Sequence, residues 1–393
     1  MPMQMTYGRV PTWPAPAMPT APDQAGGRLV VACLAGLTYV LAATGGIGVV
    51  NTGGLRSTFG IAALVSLLLI GMHRQTHLRK SEIFALGFIF AAFLLQGLRS
   101  TLPDLALEKL NGLIFGTSTL FLAARIGIGY GTTRFLRWFI AAAVAVLLLT
   151  IAYKFHYGFA DRSVRYFING PIVFGWMMGI SALVTIFLAS ALRQRWYYAL
   201  TVIFLVAIIW SGSKGPLLAI MPAIGLLIYH AGGGARAFIL LSIFSAGLYT
   251  AYMEELLPER FYVIDRLLLS QLNENDFGSI GARVEMWRYS WVVFLDNPLL
   301  GTGLGNWPVQ INTHQDAVGY FVYPHNMVLE LLTEHGLFIT AAVLALLVIF
   351  YRRSSALGQA IFLMVLIGLQ FTGDASYWHL LLGLPMALTD RTV

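Results

Sequence analysis

Apolar stretches of about twenty residues recur along almost the whole chain, and no other feature narrows the possible folds as much. LVVACLAGLTYVLAATGGIGVV, WFIAAAVAVLLLTIAY and GLFITAAVLALLVIF are three of them. None alternates with a period of two, and an unpaired strand edge cannot persist in lipid, so the runs read as helices. With 58% apolar and 11% charged residues among 393, and a mean hydropathy of +0.73, the chain lies outside the globular range. The sequence therefore predicts an all-α polytopic membrane protein with about 12 transmembrane helices and one large outer loop. The expected spans lie near 28–50, 57–73, 82–98, 110–127, 134–153, 167–190, 197–212, 215–231, 236–253, 326–350, 355–372 and 377–389. Several are short or interrupted by glycine, so ten to twelve are compatible with the pattern.

Residues 1–27 are rich in Pro and Ala, lack a signal-peptide pattern, and read as a disordered cytosolic tail. Residues 28–393 read as a single membrane domain whose outer loop covers 254–325. The single Cys33 excludes an internal disulfide or a cysteine-based metal cluster. A net charge of +7 would suggest nucleic acid in a soluble protein, but these charges flank spans, where the positive-inside rule accounts for them. No nucleic-acid partner is expected.

With the N-terminus inside, fourteen Lys and Arg residues fall on the cytosolic side and eleven outside; setting aside the four in the long loop leaves seven. The exceptions are informative. Lys154, Arg162 and Arg165 crowd one short outer segment, YKFHYGFADRSVRYF, and Lys214 occupies the tight outer turn SGSKGP. Either something requires cations there or Asp161 pairs with Arg162 or Arg165. The long loop offers an amphipathic helix at 260–269 and a second helix, ARVEMWRYSWVVFL, that stops at Asp296-Asn297-Pro298. A Gly-rich turn, GTGLGNW, follows.

GTGLGN lacks the preceding strand of a dinucleotide site, SGSKGP lacks Walker spacing, and the histidines are too scattered for a metal centre. What remains is a set of polar groups at outer helix ends: Arg165, Lys214, Arg283 and His325. Fixed cations at the edge of a low-dielectric cavity suit a diphosphate, and an imidazole suits removal of a hydroxyl proton. The plainer readings stay open: His325 as a cap of the helix starting at Asn326, Arg283 paired with Glu285 or Asp276, Trp287 and Trp291 as interface anchors, Asp374 as an interfacial cap.

GARVEMWRYSWVVFLDNPLLGTGLGNW followed by YPHNMVLELLTEHGL resembles the signature of the O-antigen ligase and O-antigen polymerase superfamily. SGSKGPLLA is similar to that family's Ser-Arg-Gly turn, with Lys214 where Arg is usual, and RSVRYFINGPIVFG resembles its Arg-containing helix start. The resemblance implies a metal-independent, inverting glycosyltransferase without a cofactor. It implies an undecaprenyl-diphosphate-linked glycan as donor, and lipid A core or another glycan as acceptor. By the same resemblance the protein sits in the bacterial inner membrane, its active site facing the periplasm, with a lateral opening for the donor lipid. His325 and Arg283 would be catalytic; Arg165 and Lys214 would bind the diphosphate, with Arg162 competing for the role of Arg165 and Arg288 for that of Arg283. A ligase is the leading expectation and a polymerase the alternative. A secondary transporter is the rival from another class, disfavoured because no internal repeat is visible and the polar groups sit at helix ends.

Overall fold

The computed structural model describes residues 25–44, 79–159, 170–254, 280–312, 323–372 and 374–389. The described residues form helices without a strand. In chain order they are α1 (Ala25–Thr44), α2 (Lys80–Gly97), α3 (Pro103–Asn111), α4 (Thr117–Gly129), α5 (Thr132–Tyr157), α6 (Pro171–Leu192), α7 (Trp196–Ser211), α8 (Lys214–His230) and α9 (Gly234–Met253). Then follow α10 (Ile280–Asp296), α11 (Trp307–Asn312), α12 (Met327–Arg353), α13 (Ala356–Thr372), α14 (Trp378–Leu382) and α15 (Leu384–Ala387). A π-helical turn, Gly112–Gly116, joins α3 to α4.

Among the described residues five helical segments are long and apolar enough to cross a membrane: α2, α3 through α4, α5, α6 and α12. Shorter apolar helices cover Leu29–Ala43, Trp196–Ser211, Lys214–His230, Ala356–Phe371 and Trp378–Ala387. Helices occupy the expected positions where the chain is described, but only five segments have the length and hydropathy of a span, so the expected count of about twelve is not reached among the described residues. The expected span at 57–73, the helix at 260–269 and residues 1–24 of the expected tail lie outside the described residues. Helix α1 starts at Ala25, inside the stretch assigned to the tail.

Lipid tails are as apolar as the side chains they touch, so close backbone approach and van der Waals packing must hold such helices together. Helix α6 shows how. Pro171 supplies a pre-set φ at its first position, and Arg193 ends it in the left-handed region at φ 56°. Between them Gly175 faces the ring of Pro216 on α8, Gly179 faces Met364 on α13, and Trp176 fills the space over Gly368. A methyl group at any of these glycines would overlap its neighbour.

The contacts define two ends of the bundle. At one, the buried pair Arg125–Glu82 joins α4 to α2, Thr389 donates to Glu82 at 3.2 Å, and the Ser355 N–H donates to the Leu388 carbonyl at 2.8 Å. This closes the C-terminal segment against the α12–α13 turn. The sequence predicts one helix over 377–389, whereas the structure breaks it at Gly383. Pro385 has no N–H and its ring crowds the preceding turn, so the helix restarts there, and Tyr39 accepts the freed Leu384 N–H at 3.2 Å. The other end carries the first residues of α6, α8 and α12 and the last residues of α2, α7 and α13, and it holds most of the chemistry.

Candidate active site

The first turn of α12 is built by Asn326. Its side-chain oxygen accepts the Leu329 N–H at 3.0 Å, satisfying a donor left over at the helix start, and its amide donates to the Gln370 carbonyl on α13 at 3.2 Å. Asn326, rather than His325, is therefore the cap. His325 sits just before it with φ 54°, a left-handed conformation that is costly for a residue with a Cβ. The chain tolerates this because its neighbours are pinned. Trp287 on α10 donates its indole N–H to the Pro324 carbonyl at 3.0 Å, and the Tyr323 ring lies edge-on to the imidazole with centroids 4.4 Å apart. Trp287 is thus half-buried in this contact, while Trp291 is exposed.

Arg283 lies one helical turn before Trp287, so both project from one side of α10 toward the Tyr323 to His325 segment. Among the described residues no ion pair joins Arg283 to Glu285, and Asp276 lies outside them. Burial, reinforced by the Arg283 guanidinium, pushes the His325 imidazole down to about 4. Burial also raises the Tyr323 phenol, as do its neighbours Tyr377, Asp374 and Glu330, while Arg283 opposes them. Arg283 itself is disfavoured as a cation by burial and supported by Tyr323, and a guanidinium remains protonated in such a setting. The result is a neutral imidazole beside a fixed cation, at a position ready for an anion.

The depressed imidazole has a signed consequence. The unfolded histidine binds its proton near pH ~6.5 and the folded one only near 4, so stability is complete above the first value and declines as pH falls toward the second. If neutral His325 is the base, kcat/KM stays level as pH is lowered through 6.5 and falls only near 4. A pH–rate profile with its acid limb close to ~6.5 would instead describe a solvated imidazole.

Lys214 opens α8 after the tight turn Ser211-Gly212-Ser213, in which Gly212 is left-handed at φ 60°. It is half-buried at the same end of the bundle, since Pro216 packs on Gly175, Trp176 on Gly368, and Gln370 bonds Asn326. Lys154, another of the expected outer cations, is buried in the last turn of α5 with its ammonium 5.9 Å from the Trp210 ring centroid. Arg288 is exposed. Arg162 and Arg165 lie outside the described residues.

Two structural roles were absent from the sequence reading. The turn 298–305 splices into α12 where Gly336 interrupts it at φ 73°. Thr302 and Gly303 donate their N–H groups to the Thr333 and Glu334 carbonyls at 2.8 and 3.0 Å, and Leu337 donates to Pro298 at 2.8 Å. Arg99 and Gln96 of the α2 end cover the Leu300 carbonyl, and Asn306 binds the 99–101 segment. Gly301, Gly303 and Gly305 all have positive φ, which explains the Gly-rich turn as backbone geometry. Below His325, Lys109 on α3 is buried with its ammonium 2.6 Å from Glu330 and 2.7 Å from Glu334. The spacing of those glutamates, one turn apart in LELLTE, was the available signal: two carboxylates on one face of an apolar helix require a cationic partner.

The fold and this end of the bundle define a helical membrane protein in which an imidazole at the mouth of one helix lies within electrostatic reach of an arginine on another. Residues 199–344, from within α7 to within α12, match the family described as O-antigen ligase. That stretch contains Lys214, Arg283, Arg288 and His325 and excludes Arg162 and Arg165. The match supports a likeness to the O-antigen ligase and O-antigen polymerase superfamily over that stretch and implies a membrane glycosyltransferase-type enzyme. No curated protein matches the chain.

Proposed function

We propose that this protein moves a glycan from undecaprenyl diphosphate to an acceptor hydroxyl at the periplasmic face of the bacterial inner membrane, as an O-antigen ligase with lipid A core or a similar acceptor. The observation that carries the reading is His325, left-handed and packed on Tyr323 at the mouth of α12 within electrostatic reach of Arg283, in a stretch matching the O-antigen ligase family. The acceptor oxygen attacks the anomeric carbon, its proton passes to His325, and the bond to the diphosphate breaks with the electron pair leaving on the phosphate oxygen. Inversion at that carbon follows from a single displacement. Arg283, Lys214 and Arg165 would hold the diphosphate, with Arg162 and Arg288 as competing cations, and the leaving group is already activated, so no nucleotide is required. The end of the bundle with these residues would face the periplasm, and 254–325 would help select the acceptor.

Surface glycan from a deletion strain tests the assignment. Long lipid-linked chains with bare core are the expected ligase phenotype. Single repeats on the core would make the protein a polymerase of the same superfamily, and normal glycan with failed solute transport would overturn the reading. At Lys214 the charge is expected to matter more than the shape: Lys214→Arg keeps transfer within about 10-fold, while Lys214→Ala loses about 100-fold. Equal losses in the two variants, measured as kcat/KM for the donor, would assign the position to packing.

A further inference from the structure

We propose that Glu330, held by Lys109, is a positioning residue for His325, acting through the turn that follows α13. This rests on the catalytic reading of His325 given above. One glutamate oxygen, Oε1 of Glu330, accepts both the Lys109 ammonium at 2.6 Å and the Ala375 N–H at 3.3 Å. All three residues are buried. One turn higher, Asn326 grips the Gln370 carbonyl of the same segment at 3.2 Å, and the Glu330 N–H bonds the Asn326 carbonyl at 2.9 Å. The first turn of α12 is therefore clamped to residues 370–375 at two points, with His325 immediately above the upper one. Helix α3 fixes the lower point through Lys109, and α10 fixes the far side through Trp287 and Pro324. A left-handed histidine persists only when its surroundings determine it from several sides, and these contacts supply that.

Glu334 also pairs with Lys109, but among the described residues the hydrogen bond from Ala375 goes to Glu330 and not to Glu334, which lies next to the Gly336 break. Two carboxylates surround one ammonium, so removing either glutamate leaves Lys109 with one partner. This makes Glu330→Ala and Glu334→Ala an informative pair: each leaves a one-to-one ion pair, the first releases Ala375 beside the α12 mouth, and the second releases Gly305 in the Gly-rich turn. A purely structural triad treats the two alike, whereas a positioning role separates them.

The test uses the full-length protein in lipid nanodiscs, with a polyprenyl-diphosphate-linked saccharide donor and steady-state kinetics in both substrates. Glu330→Ala is expected to lower kcat by about 10- to 100-fold with donor KM nearly unchanged, as for a small misplacement of a reacting group. Glu334→Ala should keep most of the wild-type kcat at a similar melting temperature. If Glu330→Ala does not fold, Glu330→Asp replaces it: the shorter side chain keeps the charge near Lys109 but withdraws the oxygen from Ala375, and kcat should still fall about 10-fold or more. Equal kcat losses at 330 and 334, or an unchanged Glu330→Asp, with His325→Ala inactive, overturns the positioning role alone. Transfer that survives His325→Ala overturns the site reading and this role together.

Discussion

Replacing His325 with alanine should abolish glycan transfer while leaving insertion and folding intact. The imidazole lies edge-on to Tyr323 just before the α12 cap, and its deletion removes the proposed proton acceptor without touching the Asn326 amide or the Trp287 hydrogen bond that shape the local backbone. Removal of a general base costs about 10²- to 10⁴-fold in rate, which brings a slow transferase to background. Alanine also relaxes no constraint that the fold relies on, since the left-handed φ at 325 is imposed by the residues around it. Single-turnover transfer to a defined acceptor, with the variant's melting temperature alongside, gives the answer. Transfer within a few fold of wild type would mean that the histidine only shapes the entrance to α12 and that another group takes the proton.

The largest expected effect on stability lies away from the chemistry, at Gly336. Its φ of 73° with ψ of 177° is a conformation open essentially to glycine, and a methyl group there would collide with the Leu299 carbonyl. The neighbouring residue cannot yield, because Gly301 in turn lies against the Glu334 backbone and the 298–303 turn is bonded to α12 at Thr333, Glu334 and Leu337. Gly336→Ala is therefore expected to destabilise by about 3 kcal/mol or more, combining backbone strain with displacement of the turn. A large drop in melting temperature and in yield of monodisperse protein should follow. A melting temperature unchanged within roughly 2 °C would mean that the break in α12 can be rebuilt as continuous helix.

The bundle was readable because each apolar run must satisfy its own backbone in lipid, so length and hydropathy fix helix positions without knowledge of partners. Expected spans near 82–98, 134–153 and 326–350 correspond to Lys80–Gly97, Thr132–Tyr157 and Met327–Arg353. Periodicity does not reveal breaks inside a run: Gly336 and Gly383 interrupt helices through tertiary contacts with Leu299, Leu120 and Tyr39 that are distant in sequence. At the site, His325 and Arg283 stand out as ionisable groups beside greasy segments, and in the fold the imidazole lies within electrostatic reach of the guanidinium. Sequence alone does not single out Lys109, because its glutamate partners lie more than two hundred positions away and spacing cannot pair them. Trp287 was read as an interface anchor, since an indole hydrogen bond to a backbone carbonyl leaves no trace in composition.

The splice at Gly336 bears on how the enzyme can be re-engineered. Because the 298–305 turn completes the backbone bonding of α12, residues 280–305 behave as part of the membrane body although they fall inside the hydrophilic insert between α9 and α12. Arg283 and His325 keep their registry only while that segment has its native length. A chimaera that seeks a new acceptor preference must place its junctions before 280 or after 312, leaving the cassette between them whole.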